Sequence, residues 1–151
     1  MAGRKSLPHD PPLWVDPSRE IYFVTINCRL RGANSLCNEL VAPQIFESVE
    51  HRNQSRVWWA RLFLLMPDHV HALLSFPPDR RFTDIIRDWK KWTSRQSSVE
   101  WQRDWFDHRL RAEESLREKA DYILNNPVRA GLTDKAENWP WVWIPDEDLG
   151  G

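Results

Sequence analysis

Met66-Pro67-Asp68-His69-Val70-His71-Ala72-Leu73-Leu74 sets two histidines one residue apart at the head of an apolar run. Side chains of a β-strand alternate between faces, so His69 and His71 leave one face while Val70 leaves the other, and the two imidazoles can share one metal ion. A second apolar run, Val57 to Met66, comes first, and the Pro and Asp between the two runs suit a tight connection. The stretch reads as a hairpin presenting two ligands near its turn. On these residues alone it is either a site or a polar edge, and the rest of the chain has to decide.

Upstream, Ile21-Tyr22-Phe23-Val24-Thr25-Ile26-Asn27, within Glu20 to Arg29, is dense in β-branched and aromatic residues and predicts a first strand. Arg31-Gly32-Ala33-Asn34-Ser35 reads as a loop. From about Pro43 to Arg52, Ile45, Phe46 and Val49 fall at helical spacing and predict a first helix feeding the hairpin. Downstream, Pro77 and Pro78 stop the third strand. A second helix is expected from about Thr83 to Ser97, with Phe82, Ile85, Ile86, Trp89 and Trp92 as its apolar stripe. Residues 101–111 alternate enough for a fourth strand, with Trp105, Asp107, Arg109 and Arg111 on one side. The order strand, helix, strand, strand, helix, strand is the split βαβ pattern of a ferredoxin-like α+β domain with an antiparallel sheet.

A C-terminal helix is expected from about Glu113 to Asn125, ended by Asn126-Pro127 because a residue before proline avoids helical geometry. Four prolines in residues 1–18 exclude a helix or central strand there and predict an extended or disordered arm. Residues 19–144 then form the single domain that 151 residues allow, and 145–151 form an acidic tail. Trp139-Pro140-Trp141-Val142-Trp143 is expected to pack on the domain.

Composition narrows the function classes. A hydrophobic fraction of 41% and a charged fraction of 28% are those of a soluble globular protein, and no apolar run approaches the ~20 residues of a membrane helix. Arg4 and Lys5 have no apolar stretch behind them, so no secretory signal is read and an intracellular protein is expected. Cys28 and Cys37 lack metal-type spacing and read as reduced bystanders. The net charge of -1 conceals an uneven distribution: residues 80–111 hold 9 basic and 5 acidic side chains, residues 112–151 hold 4 and 9. Arg87, Lys90, Lys91 and Arg95 lie mainly off the apolar stripe of the second helix. They read either as a phosphate-binding stripe or as a solvated helix face.

Tyr122, one of two tyrosines, stands on the last helix, and Asn126 follows one helical turn later on the same side. If that helix crosses the sheet near the hairpin, two imidazoles, an amide oxygen and a phenol share a site. Three neutral N/O ligands leave positions open on Mg²⁺ or Mn²⁺ for phosphate oxygens, and the tyrosine oxygen could attack phosphorus.

His69-Val70-His71 resembles the His-hydrophobic-His signature of the HUH endonucleases. Tyr122-Ile-Leu-Asn-Asn-Pro-Val-Arg-Ala-Gly-Leu132 resembles the tyrosine motif of the single-tyrosine transposases. The match is nearest to the REP-associated tyrosine transposases. Their pattern is echoed in Tyr22-Phe-Val-Thr, Leu65-Met-Pro-Asp-His-Val-His, Trp105-Phe-Asp-His-Arg109 and the closing Trp-Pro-Trp. The likeness spans roughly residues 19–144. The histidine pair followed about 50 residues later by the tyrosine run is its specific part.

The resemblance implies a ferredoxin-like catalytic domain that nicks single-stranded DNA beside hairpins of REP-type palindromes. The intermediate is a 5′-phosphotyrosine that leaves a 3′ hydroxyl, with a divalent metal and no nucleotide cofactor. Carried over by position, it makes Tyr122 the nucleophile and His69, His71 and Asn126 the metal ligands. Arg109, Arg111 and Arg129 read as candidate phosphate contacts beside the helix stripe, Arg129 equally as a residue that fixes the chain after Pro127, and His108 as an accessory residue at the phosphate or, more readily, a structural one bonded to backbone. The resemblance implies a bacterial cytoplasmic protein, monomeric or homodimeric, associated with DNA. A domesticated fold that binds hairpins without cutting is the alternative. Zinc hydrolysis is disfavoured: Leu73 stands where a metallo-β-lactamase-type motif needs an acid, and the chain is too short for an amidohydrolase barrel.

Overall fold

In the computed structural model, which describes residues 20–111 and 113–145, the hairpin is the centre of the sheet. Strands β2 (Trp59–Met66) and β3 (His69–Ser75) pair antiparallel from Met66 opposite His69 outward, with Pro67 and Asp68 alone between them. On the other side of β3 lies β1 (Tyr22–Asn27), in a register that sets Thr25 opposite His71 and Asn27 opposite His69. Next to β1 lies the edge strand β4 (Phe106–Arg109), and beyond β2 the short β5 (Val142–Trp143). The order β4-β1-β3-β2-β5 contains the ferredoxin-like arrangement that the pattern of elements predicts, with one added strand.

Helices lie on both faces of the sheet at β2 and β3, which is why these strands are buried almost throughout rather than at alternate residues. Helices α1 (Ala42–Gln54) and α2 (Phe82–Ser97) pack on the face carrying Val24, Ala72 and Phe63. Trp89 of α2 joins this layer: its ring centre lies 5.3 Å from that of Phe63, and its Nε1 donates to Ser48 Oγ of α1 at 2.9 Å. Trp58, Trp89, Ile45, Ile85 and Ile86 are fully buried here, each contributing about 1.5–3 kcal/mol by its removal from water. The opposite face, carrying Phe23, Thr25, His69 and His71, receives helix α3 (Glu113–Leu124), which packs on β2 and β3. None of the described helices is long and apolar enough to cross a membrane.

Two boundaries differ from the sequence expectation. The fourth strand is confined to Phe106–Arg109. Before it, Trp101 bridges Cys28, with Arg29 N bonded to the Glu100 carbonyl and Gln102 N to the Asn27 carbonyl; the pairing then breaks as far as Phe106, and Lys90 takes the carbonyls of Gln102 and Arg103, both at 2.8 Å. The last helix ends at Leu124, and after Asn125 a one-turn helix α4 (Asn126–Arg129) follows. Asn126 is thus helical despite preceding proline, because Pro127 falls in a first turn, where no backbone N–H is needed. The Trp-Pro-Trp segment does pack on the domain: Trp139 Nε1 donates to the Leu65 carbonyl at 2.9 Å, and β5 extends the sheet. The expected arm at 1–18, and all of the acidic tail except Pro145, lie outside the described residues.

Cys28 and Cys37 are buried free thiols, pushed by burial up to about 11 and about 12. Such thiols stay protonated and unreactive, in keeping with bystanders.

Candidate active site

The strand period sets His69 and His71 side by side, their ring centres 4.8 Å apart and nearly perpendicular at 83°. Each ring has one nitrogen held from behind. His69 Nδ1 lies 2.8 Å from Asp68 Oδ1; a carboxylate only accepts, so Nδ1 carries a proton and Nε2 is the nitrogen left for a metal. His71 Nδ1 lies 3.0 Å from Thr25 Oγ1, the residue opposite it in the ladder. An outer oxygen fixing one nitrogen so that the other can bind is the usual support of a metal-ligating imidazole. His71 is buried, and burial first, then the charges of His69 and Arg129, push it down to about 3, so it is neutral across the physiological range. Two imidazole nitrogens with supported backs suit a divalent ion of the Mg²⁺ or Mn²⁺ type less tightly than a carboxylate set would.

Asp68 is itself fixed. Its Oδ2 accepts from Gly32 N at 2.8 Å, and Arg31 Nη1 bonds both the Asp68 carbonyl and Asn27 Oδ1, at 3.2 and 2.7 Å. Burial alone would raise the carboxyl, but the Gly32 and His69 hydrogen bonds and the Arg31 charge outweigh it and hold Asp68 below the usual carboxylate range. Gly32 has φ +86, a left-handed geometry that glycine adopts without strain, and so delivers its N–H to the carboxylate. Ser35 N and Leu36 N bond the Pro67 carbonyl, sewing this loop over the turn that carries the histidines.

Tyr122 stands on the α3 side, half exposed at 51%. The Arg129 guanidinium lies 4.0 Å from its ring centre, and Arg129 Nη2 donates to the Tyr122 carbonyl at 2.6 Å. Lys119 Nζ lies 5.7 Å from the Tyr122 ring and 5.4 Å from the Phe23 ring, whose centre is 5.6 Å from that of His71. An unbroken series of contacts, Tyr122 to Lys119 to Phe23 to His71, therefore joins the tyrosine to the histidine pair within one chain. Asn126 is half-buried at the start of α4, and its carbonyl accepts from Ala130 N. No hydrogen bond joins its amide to either histidine among the described residues. Those residues also hold no group of three or more His, Cys, Asp and Glu able to cage an ion.

The expected phosphate contacts do not form one surface with the histidines. Arg109 alternates with Phe106 and His108 and so points to the opposite face, where it donates to Glu20 Oε1 at 3.0 Å. Helix α2 packs on that same far face, which carries its basic side chains away from His69 and His71. Within the stripe, Lys90 is corrected outright: it is buried, and its ammonium is committed to two backbone carbonyls and to the Trp105 ring at 4.9 Å. Arg87 pairs with Asp84 at 3.4 Å, and Lys91 and Arg95 are exposed. Arg111 is exposed just past β4. His108 shares the histidine face, opposite Phe23, and is exposed rather than buried against backbone. Of the cations named from sequence, Arg129 is the one beside Tyr122.

Thr25, Asp68 and Lys119 were not singled out by sequence. Asp68 reads as a turn residue, Thr25 as one β-branched residue in a strand, and Lys119 as a helix-surface cation. Only strand register and helix docking reveal what they touch.

A model of the family described as "Transposase IS200 like" matches residues 25–111. The REP-associated tyrosine transposase of Escherichia coli (strain K12) is 24% identical over 123 residues, covering 80% of this chain and 73% of that protein. A relative from Haemophilus influenzae is 29% identical, covering 58% of this chain and 64% of its own length. Among solved structures, a REP-associated tyrosine transposase bound to a REP hairpin superposes with a TM-score of 0.70 at 22% identity, over 85% of this chain and 87% of that one. At that identity the likeness carries the fold.

Proposed function

The chain belongs to the IS200-like transposase family, and from this premise we propose that it is a metal-dependent single-strand DNA nuclease and strand transferase acting beside REP-type hairpins. The hairpin partner is suggested by the related structure, which is bound to one. The observation that carries the reading is the contact series from Tyr122 through Lys119 and Phe23 to His71, which brings a half-exposed phenol to the side of the sheet bearing two supported imidazoles.

In this reading the Tyr122 oxygen attacks the scissile phosphorus. A Tyr122 O–P bond to the 5′ phosphate forms as the bond to the 3′ oxygen breaks; the phenol gives its proton to water, and water returns one to the 3′ oxygen, which leaves as a hydroxyl. Attack by a 3′ hydroxyl on the phosphotyrosine reverses the exchange and rejoins a strand without a nucleotide cofactor. His69 and His71, with Asn126 as a third ligand, would hold a Mg²⁺ or Mn²⁺ ion, whose chemistry there is Lewis-acid polarisation of the phosphate. Lys119 and Arg129, both lying over the tyrosine ring, draw the phosphodiester anion toward it. We take the site to be completed within one chain, because the linking contacts are intramolecular.

The test is a labelled single strand bearing a REP-type hairpin, incubated with the protein and Mn²⁺. A protein–DNA adduct stable to denaturant should form, and Tyr122→Phe should abolish it; an adduct that survives in the variant would refute the assignment of the nucleophile.

A further inference from the structure

Among the described residues, two exposed aromatic rings stand out, Tyr122 and Phe106, at 51% and 55% exposure. Both lie on the side of the sheet that carries the histidine pair. A single exposed apolar residue needs no explanation; the placement of this one is what carries information. Phe106 pairs with Thr25 across the β4–β1 ladder, and Thr25 pairs with His71 across the β1–β3 ladder. Phe106, Thr25 and His71 therefore form one row perpendicular to the strands, with all three side chains on the same face. Two strand spacings of ~4.8 Å separate Phe106 from His71, a reach of roughly 10 Å.

The Phe106 ring is braced on one side. Phe23 meets it edge-on, with centres 6.1 Å apart and planes at 76°, and Phe23 in turn leans on His71. Helix α3 packs over β2 and β3, while every residue of β4 stays exposed, which leaves the Phe106 ring open to solvent beside the site. Lys119 sets a cation over the Phe23 ring, the ring that braces Phe106, and near the Tyr122 ring.

We propose that Phe106 is a stacking platform for an unpaired nucleobase adjoining the scissile phosphate. This rests on the single-strand DNA reading above. The ligand class follows from the parts: a flat apolar ring held edge-on by its neighbour, with a cation alongside, takes a base on its face and a phosphate at its edge. Stacking of this kind tolerates any base, so Phe106 holds the strand in place without reading its sequence. It is a positioning residue for the strand, distinct from the residues that would exchange the phosphoryl group.

The test uses the full chain in the Tyr122→Phe background, where chemistry is blocked, and a hairpin-flanked single strand with 2-aminopurine next to the nick. Binding should quench the fluorophore. Phe106→Ala should lose the quench and weaken binding roughly 5- to 100-fold, the range of one lost base–aromatic stack. Phe106→Trp should restore both. Phe106→Leu keeps apolar bulk against Phe23 and should fail to restore them, which separates stacking from packing even if the alanine variant were unstable. Unchanged quench and affinity in the alanine and leucine variants, with a parent protein that binds and nicks, would overturn this inference alone. A parent that neither binds the strand nor nicks it would bring down the functional reading and this inference together.

Discussion

Arg129 holds Tyr122 at two points: its guanidinium sits 4.0 Å from the centre of the phenol ring, and its Nη2 donates to the Tyr122 carbonyl at 2.6 Å. Seven residues after the tyrosine and beyond Pro127, it folds the end of α4 back over α3. Arg129 also lies near enough to His71 for its charge to lower the imidazole's proton affinity. Under the proposed function, Arg129→Ala should slow adduct formation roughly tenfold, the order of one exposed cation–π contact with one charge-assisted hydrogen bond. Arg129→Lys keeps the charge but not the planar fork and should recover part of that loss. Single-turnover adduct kinetics with a thermal melt measure this. A drop in melting temperature with an unchanged adduct rate would make Arg129 a helix clasp only.

Lys90 and its neighbours on α2 should behave as opposites. Lys90 is buried and donates at 2.8 Å to the carbonyls of Gln102 and Arg103, so Lys90→Met strands two acceptors and should cost about 1–3 kcal/mol of stability. Lys91→Ala and Arg95→Ala remove exposed charges and should leave stability within about 0.5 kcal/mol. If these two touch phosphates, the double variant will also flatten the dependence of DNA affinity on salt. Urea denaturation and a salt titration of binding read the two effects. A salt slope identical to that of the parent would remove Lys91 and Arg95 from the DNA surface.

The core of the fold was legible because its signals are local. The apolar runs about Pro67-Asp68, the proline pair 77–78 and the helical stripe of α2 each fix an element within a few residues, and together they fix the strand order. Alternation along residues 101–111 could not show that the pairing with the β1 side, made at Trp101 and again from Phe106, breaks in between, where the Gln102 and Arg103 carbonyls turn to Lys90. The histidine pair was legible from its period, and its neighbourhood was not. Thr25 meets His71 only through a β1–β3 register, and Arg109 turns from the site only through the parity of β4 against β1. Both depend on long-range pairing that composition does not encode.

Thr25 should act on the site through His71. Its hydroxyl is 3.0 Å from His71 Nδ1, and Thr25→Val keeps the β-branched shape while deleting that partner. Loss of such an outer hydrogen bond lowers metal affinity by roughly 10- to 100-fold. Calorimetric titration with Mn²⁺ should show that weakening, and Thr25→Ser should restore it. Equal Mn²⁺ affinity in parent and Thr25→Val would show that the hydroxyl does not orient the ring.

His71 should also give the metal-free protein an acid-sensitive fold. In the unfolded chain the imidazole has its ordinary value of 6.5; in the fold, burial first, and then the His69 and Arg129 charges, push it down to about 3. Below pH 6.5 the unfolded state therefore binds a proton that the folded state refuses, and stability rises with pH wherever the unfolded state binds more protons. The contribution of His71 is fully present above 6.5. It is lost as the pH falls toward about 3, by a few kcal/mol at most, since part of the shift relaxes when water reaches the ring. His71→Asn removes the titrating group, so its stability should change less than that of the parent between pH 7 and pH 4.5. Urea denaturation of both proteins at those two pH values, with chelator present, makes the comparison. Parallel losses in the two would place the acid sensitivity elsewhere in the fold; Asp68, lowered from 3.8, loses its contribution only below this window.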